Sequence, residues 1–150
     1  MCKTSDLLIM VVDANKESLK KMCAVLYQLN VNKIFCASSA EEGMKICYEL
    51  QKKGQFVQML FCNANIVDIS INDFIKDLNK INQGLISITY SKCIAPETHI
   101  VSMLKYGSMD YIEQTDNFEE NVQKVFKRWG TVAKLQCDYG IKYGFSERAN

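Results

Sequence analysis

Six consecutive apolar residues, Leu7 to Val12, end abruptly at Asp13. A run of strand length without a polar residue needs cover on both faces, which is the condition of a central strand in a parallel sheet flanked by helices. The next segment supplies part of that cover. Asn15 can cap a helix in which Leu19, Met22, Cys23, Leu26 and Leu29 recur at three- and four-residue spacing as one buried stripe, ending near Asn30.

The same alternation runs through the chain. Lys33 to Ala37 reads as a short second strand, and Ser39 with Glu42 as a capping box for a helix with Met44, Cys47 and Leu50 inward, stopped at Gly54. Phe56 to Cys62 is the predicted third strand, breaking at Asn63 into a polar loop. A helix over about Asn72 to Ile81 follows, with Phe74, Leu78 and Ile81 on one face and Gln83-Gly84 as the turn out. Leu85 to Thr89 reads as the fourth strand, and Pro96 fits the first turn of a helix that carries Val101 and Leu104 inward and ends at Gly107. Ser108 to Ile112 is a short fifth strand. Asn117 with Glu120 is a second capping box, opening a last helix with Phe118, Val122, Val125, Phe126 and Trp129 in register and running past Gly130 to about Gln136.

Five strands alternating with five helices predict an α/β fold: a single doubly wound five-stranded parallel sheet, order 2-1-3-4-5, with helices on both faces. That order puts the topological switch between strands 1 and 3, so a ligand would meet Asp13, Ala14 and Asn63. The domain is expected over 1–130, with 131–150 an extension of the last helix and an aromatic tail containing Tyr139, Tyr143 and Phe145.

Composition narrows the function classes. Eighteen basic residues balance 17 acidic ones and no basic stripe is interleaved with aromatics, so neither nucleic acid nor an anionic membrane is an expected partner. The Leu7–Val12 run is too short for a membrane span or a signal-peptide core, which makes the expected location cytoplasmic. Seven cysteines (Cys2, Cys23, Cys36, Cys47, Cys62, Cys93, Cys137) without a Cys-x-x-Cys pair, and a single His, do not make a zinc site or a secreted disulfide framework. Cys23, Cys36, Cys47 and Cys62 fall in the apolar pattern and are expected in the core as reduced thiols. No Gly-x-Gly-x-x-Gly or Gly-x-x-x-x-Gly-Lys cradle for phosphates is present, and Asp13-Ala14-Asn15-Lys16-Glu17-Ser18 is not the phosphate loop of a flavodoxin.

Over about residues 6–130 the chain resembles the receiver domains of bacterial response regulators through a series of matches in order. Val11-Val12-Asp13-Ala14 is similar to the first-strand Val-Val-Asp-Asp, Asp13 matching one metal-binding carboxylate and Ala14 replacing the other. Leu60 to Asp68 resembles the third strand and active loop, with Asn63 at the phosphoacceptor Asp, Asn65 at the residue whose carbonyl completes the magnesium site, Val67 at the proline and Asp68 at the following Asp. Thr89 matches the hydroxyl that contacts the phosphoryl group. Gly107 to Thr115 resembles Gly-Ala-Asp-Asp-Tyr-Leu-x-Lys-Pro, with Tyr111 at the aromatic switch residue, Gln114 at the catalytic Lys and Thr115 at the proline.

The resemblance implies a two-component signalling module, and its departures imply a degenerate one. Phosphoryl transfer to this site needs a carboxylate nucleophile and cations to neutralise the transferring oxygens. Asn63, Ala14 and Gln114 remove nucleophile, metal ligand and base together, so no catalytic residues, no cofactor and negligible magnesium binding are expected at the residual positions Asp13, Asn63 and Asn65. Thr89 and Tyr111 fit a retained switch and equally fit strand residues of good β propensity. Asp13 alone also fits an acid at the positive end of the first helix. The expected partner is a signalling protein or a second copy, bound through the face of helix 4, strand 5 and helix 5 that carries His99, Ser102, Lys105, Tyr106 and Tyr111. The alternative is a redox-responsive domain using Cys62 and Cys93, or a receiver switched by an unconventional phosphorylation or ligand.

Overall fold

The computed structural model describes residues 2–66, 68–82, 84–92, 101, 104 and 107–139. Its sheet has five parallel strands: β1 (Leu8–Val12), β2 (Lys33–Ala37), β3 (Met59–Asn63), β4 (Ile86–Ser91) and β5 (Ser108–Glu113), in the order β2-β1-β3-β4-β5. The predicted fold class is observed. β1, β3 and β4 are buried throughout, β1 as its unbroken apolar run requires and β4 with Ser87, Thr89 and Ser91 buried among its apolar residues, whereas β2 at the edge is half exposed.

Helices α1 (Lys16–Gln28), α2 (Ala40–Lys52) and α3 (Ile71–Ile81) and the C-terminal helix (Phe118–Tyr139) cover the two faces. Met22, Val25 and Leu26 of α1 and Val122, Val125 and Phe126 of the C-terminal helix pack on Ile9, Val11, Phe61 and Ile88. Cys47 and Leu50 of α2 and Phe74, Ile75 and Leu78 of α3 pack on Met10, Val12 and Leu60. Neighbouring residues of one strand thus serve opposite layers. Gly43 lets α2 come close: a β-carbon there would stand 3.1 Å from the Phe74 ring and 3.3 Å from the Met10 sulfur.

The helix starts follow the local sequence with two corrections. Asn15 and Ser39 cap α1 and α2 by accepting the N–H groups of Ser18 and Glu42, and Ser70 caps α3 through Asp73 N–H. The box predicted for Ser39 is not closed, because the Glu42 carboxylate accepts from the N–H and hydroxyl of Ser38, one residue earlier, at 2.9 and 2.8 Å. At the start of the C-terminal helix the predicted box of Asn117 and Glu120 gives way to a turn, in which Asn117 N–H donates to Thr115 Oγ1 at 3.4 Å and Phe118 N–H to the Thr115 carbonyl at 3.0 Å.

Val101 and Leu104 are helical but 61% and 45% exposed, opposite to the inward orientation expected of them. A pair three residues apart marks a stripe on a helix without saying which way the stripe faces. Pro96 lies outside the described residues. The C-terminal helix passes through Gly130 to Tyr139 with Ala133 fully buried, so the described part of 131–150 is packed onto the domain. Lys134 Nζ reaches Thr4 Oγ1 at 3.5 Å, and Asp138 accepts the Cys2 N–H at 2.7 Å. Among the described residues no helix is long and apolar enough to cross a membrane.

Gly107 enters β5 at φ 125°, and a β-carbon on it would sit 2.8 Å from Ile75 Cγ2. Gly107→Ala therefore meets both backbone strain and a clash with the core, and should cost about 1–3 kcal/mol. A urea melt will read this as a lower midpoint at unchanged slope; an unchanged midpoint would contradict the packing described.

Candidate functional site

At the C-terminal ends of β1 and β3, where strand order reverses, Asp13 and Asn63 are 2% and 7% exposed. Burying a carboxylate is costly unless donors surround it. Asp13 has three: Oδ1 accepts the Asn15 N–H at 2.9 Å, while Oδ2 accepts the Tyr90 phenol at 2.7 Å and the Asn63 amide Nδ2 at 3.3 Å. The Asn63 amide is itself divided, its Oδ1 accepting the Asn65 N–H at 2.8 Å. Tyr90 stands here because β4 continues past Thr89 and places Tyr90 level with Asn63 in the β3–β4 register.

Thr89 is one residue out of step and so belongs to the opposite face of the sheet. Its Oγ1 lies 3.2 Å from Ser108 Oγ and 3.4 Å from the Asp110 carbonyl, which occupies it on the β5 side. The hydroxyl the strand delivers to Asp13 and Asn63 is that of Tyr90. The fourth strand, expected over Leu85 to Thr89, runs from Ile86 to Ser91. Counting two residues on from Ile86 and Ile88, which share a core layer, would have placed residue 90 on the Asn63 face.

The network extends to α1 and β5. Gln114 donates from Nε2 to Ser18 Oγ at 2.7 Å, so its amide is tied to the first turn of α1; its Oε1 is buried without a hydrogen-bond partner among the described residues. Ser18 also bears on the Tyr90 phenol. Burial above all, then the charge of Asp13 and the hydrogen bond to it, push the Tyr90 phenol far above its ordinary value. The ring packs against Phe118, centroids 5.9 Å apart. Ala14 is exposed and contributes no polar side-chain atom, and Asn65 donates to Ser91 Oγ at 3.4 Å.

Other predicted residues separate from this centre. Tyr111 is half-buried against the α2/α3 layer. His99, Ser102, Lys105 and Tyr106 lie outside the described residues, as do Val67 and Cys93. Cys62 is fully buried, and burial, with Asp13 and Asp68 nearby, pushes its thiol up strongly. That is the reverse of what a reactive thiol requires. Asp68 serves a different element, its carboxylate accepting the N–H groups of Ala40 and Glu41 at 3.2 and 3.0 Å and so capping α2 from 27 residues away. Those hydrogen bonds, first that from Glu41, hold its carboxyl below the ordinary value.

No family model matches this chain, and no curated protein does. Solved structures do. A candidate pilus assembly-related protein from Burkholderia pseudomallei superposes with TM-score 0.69 at 13% identity, covering 91% of this chain and 95% of its own. A CheY-like response regulator receiver domain protein from Methanospirillum hungatei gives 0.67 at 18%, covering 83% and 94%. The complex of CheX, CheY, beryllium trifluoride and magnesium from Borrelia burgdorferi gives 0.70 at 13%, covering 82% and 89%. At these identities the likeness is one of fold: the chain has the fold of CheY-like receiver domains.

Two groups in this region should make stability depend on pH, with opposite signs. Tyr90 holds its proton more tightly folded than unfolded, so its contribution to stability is complete below the ordinary phenol value of 10.0 and is lost as pH rises above it. Tyr90→Phe should cost about 1.5–3 kcal/mol near neutral pH by removing a donor to a charged acceptor. In an alkaline spectrophotometric titration, one phenol of the wild type should ionise only with unfolding, and the variant should lack that component. Asp68 has the opposite sign: its lowered value makes its contribution complete above 3.8 and lost as pH falls below it. Asp68→Asn, which cannot titrate, should flatten the acid limb of the stability curve; an unaltered acid limb would refute the cap.

Proposed function

We propose that this protein is a receiver-like signalling module that does not accept phosphate and acts by binding another protein. The observation that carries the proposal is the occupation of Asp13. The one acid left at the end of β1 has both oxygens engaged by Asn15, Tyr90 and Asn63. Magnesium favours several hard oxygen ligands and keeps much of its water. A buried carboxylate with three protein donors, beside the side chain of Ala14 and an Asn amide, is a poor set for it. Among the described residues no group of three His, Cys, Asp or Glu side chains is placed to hold a metal.

The nucleophile argument is independent of the metal. A carboxylate oxygen at position 63 could attack phosphorus and leave as an acyl phosphate; an amide oxygen there has neither the charge nor the basicity to do so. The phenol of Tyr90 lies against Asp13 Oδ2, and the Gln114 amide is bound to Ser18 with no ammonium beside them among the described residues. These pocket groups are thus engaged with one another by hydrogen bonds. Signalling without phosphate then requires a partner with different affinity for two arrangements of the domain, or a domain held in one arrangement that the partner recognises. The partner surface proposed is that of β5, the C-terminal helix and the segment containing His99, Ser102, Lys105 and Tyr106. Exposed Val101, Leu104 and Met109 support an apolar contact there. In this reading the protein is not an enzyme.

The test is exposure to acetyl phosphate with millimolar magnesium, followed by intact-mass analysis. No phosphoryl adduct is expected on the wild type. A stable gain of one phosphoryl group, lost on mild base treatment, would overturn the proposal. Asn63→Asp is the control that restores a nucleophile and reports whether the rest of the pocket can still admit the donor.

A further inference from the structure

Two of the described cysteines, Cys47 and Cys62, are buried among core residues of the α2/α3 layer. Cys23 on α1 and Cys36 on β2, by contrast, bring their sulfurs to 3.1 Å as free thiols. That is about 1 Å beyond the ~2.05 Å of a disulfide bond. Cys36 is exposed because β2 is the edge strand, in which Ala37 alone is buried, and this corrects the core position expected from its apolar neighbours. Cys23 is half-buried, at the margin of the α1 layer. The two come together through the fold: β2 pairs with β1 so that Cys36 lies beside Val11, and α1 crosses back over that edge of the sheet.

We infer that Cys23 and Cys36 form a reversible intramolecular disulfide, a modification site that staples the middle of α1 to the edge strand β2. The inference is independent of the phosphate question, since neither sulfur belongs to the Asp13 network. The oxidant is a small-molecule disulfide of the glutathione type. Cys36, the accessible partner, attacks one reagent sulfur as its thiolate, having given its proton to solvent. The reagent S–S bond breaks, one reagent thiolate leaves and Cys36 becomes a mixed disulfide. Cys23 then loses its proton and attacks the Cys36 sulfur; the protein S–S bond forms and the second reagent thiolate leaves. Two protein thiols are oxidised, one reagent disulfide is reduced, and the two protons end on the two thiolates released.

Burial, then the hydrogen bond and charge of Cys36, push the Cys23 thiol up to about 12. The thiolate of Cys23 is therefore scarce, which makes Cys36 the point of entry and ring closure the slower step. Closure joins residues 13 apart and ties together two elements that border the pocket. α1 carries Ser18, and the carbonyl of Ala37, next to Cys36, accepts the Asp13 N–H at 3.0 Å.

The experiment treats the 150-residue chain with oxidised glutathione near neutral pH, blocks remaining thiols and maps peptides by mass. The expected product is a monomer lighter by two hydrogens, with Cys23 linked to Cys36 and Tm raised by about 5–10 °C, reversed by dithiothreitol. Cys36→Ser, at an exposed position, should keep the Tm of the reduced protein within about 2 °C and abolish both link and shift. Cys2, whose thiol lies against that of Cys137, provides an internal competitor. A glutathione adduct persisting on Cys36, a link of Cys2 to Cys137 in place of Cys23 to Cys36, or a Tm shift retained in Cys36→Ser would each overturn the inference.

Discussion

A carboxylate buried where β1 ends is the constraint around which the pocket is arranged. Asp13 cannot stay there as a bare charge, and the fold gives it no neighbouring ammonium or guanidinium among the described residues. Instead a backbone N–H at the start of α1, a phenol from β4 and an amide from β3 converge on it. The three donors come from three elements, so satisfying one anion ties the ends of three strands and the first turn of a helix into one network. Gln114, through Ser18, brings the end of β5 into the same set.

In the proposed reading the network differs in electrostatic character from a phosphate-accepting pocket. A site built to gather magnesium and phosphoryl oxygens holds several like charges apart and depends on ions to neutralise them. Here one negative charge is distributed over neutral donors, and the remaining positions are amides and hydroxyls. Such a pocket gains rigidity from low local dielectric, because each hydrogen bond within it is strengthened by the exclusion of water. The unpartnered Gln114 Oε1 is the exception, one polar atom for which the described residues offer no donor.

Away from the pocket, long-range side-chain contacts set the placement of the outer elements. Asp110 on β5 accepts from both Arg128 Nη1 and Trp129 Nε1 at 2.9 and 3.0 Å, which fixes the C-terminal helix against the edge strand. Asp68 caps α2 from the loop after β3 and so couples that loop to the start of a helix packed on the same face of the sheet. Each is a pair of hydrogen bonds to a carboxylate at part-exposed positions, where solvent screens the charge, the Arg128–Asp110 ion pair included, and their role is positional more than stabilising.

What the sequence determined by itself was the set of elements and their order. Unbroken apolar runs at Leu7–Val12 and in β3, and stripes at three- and four-residue spacing in α1, α3 and the C-terminal helix, are local consequences of what each segment must bury, so they are legible without the rest of the chain. That Ala14, Asn63 and Gln114 carry neither acid nor base was equally legible, because the chemistry a residue lacks is a property of the residue. Only tertiary structure decided which groups meet. The Ile-Ser-Ile alternation of β4 puts Tyr90 on the face of Ile86 and Ile88, but the strand is buried on both faces, so the pattern does not say what Tyr90 meets; its pairing with Asn63 is set by the register with β3. For the same reason Cys23 and Cys36, alike in sequence to the core cysteines, were brought together only by the crossing of α1 over an edge strand. Local pattern specifies what a residue buries; register and topology specify what it touches.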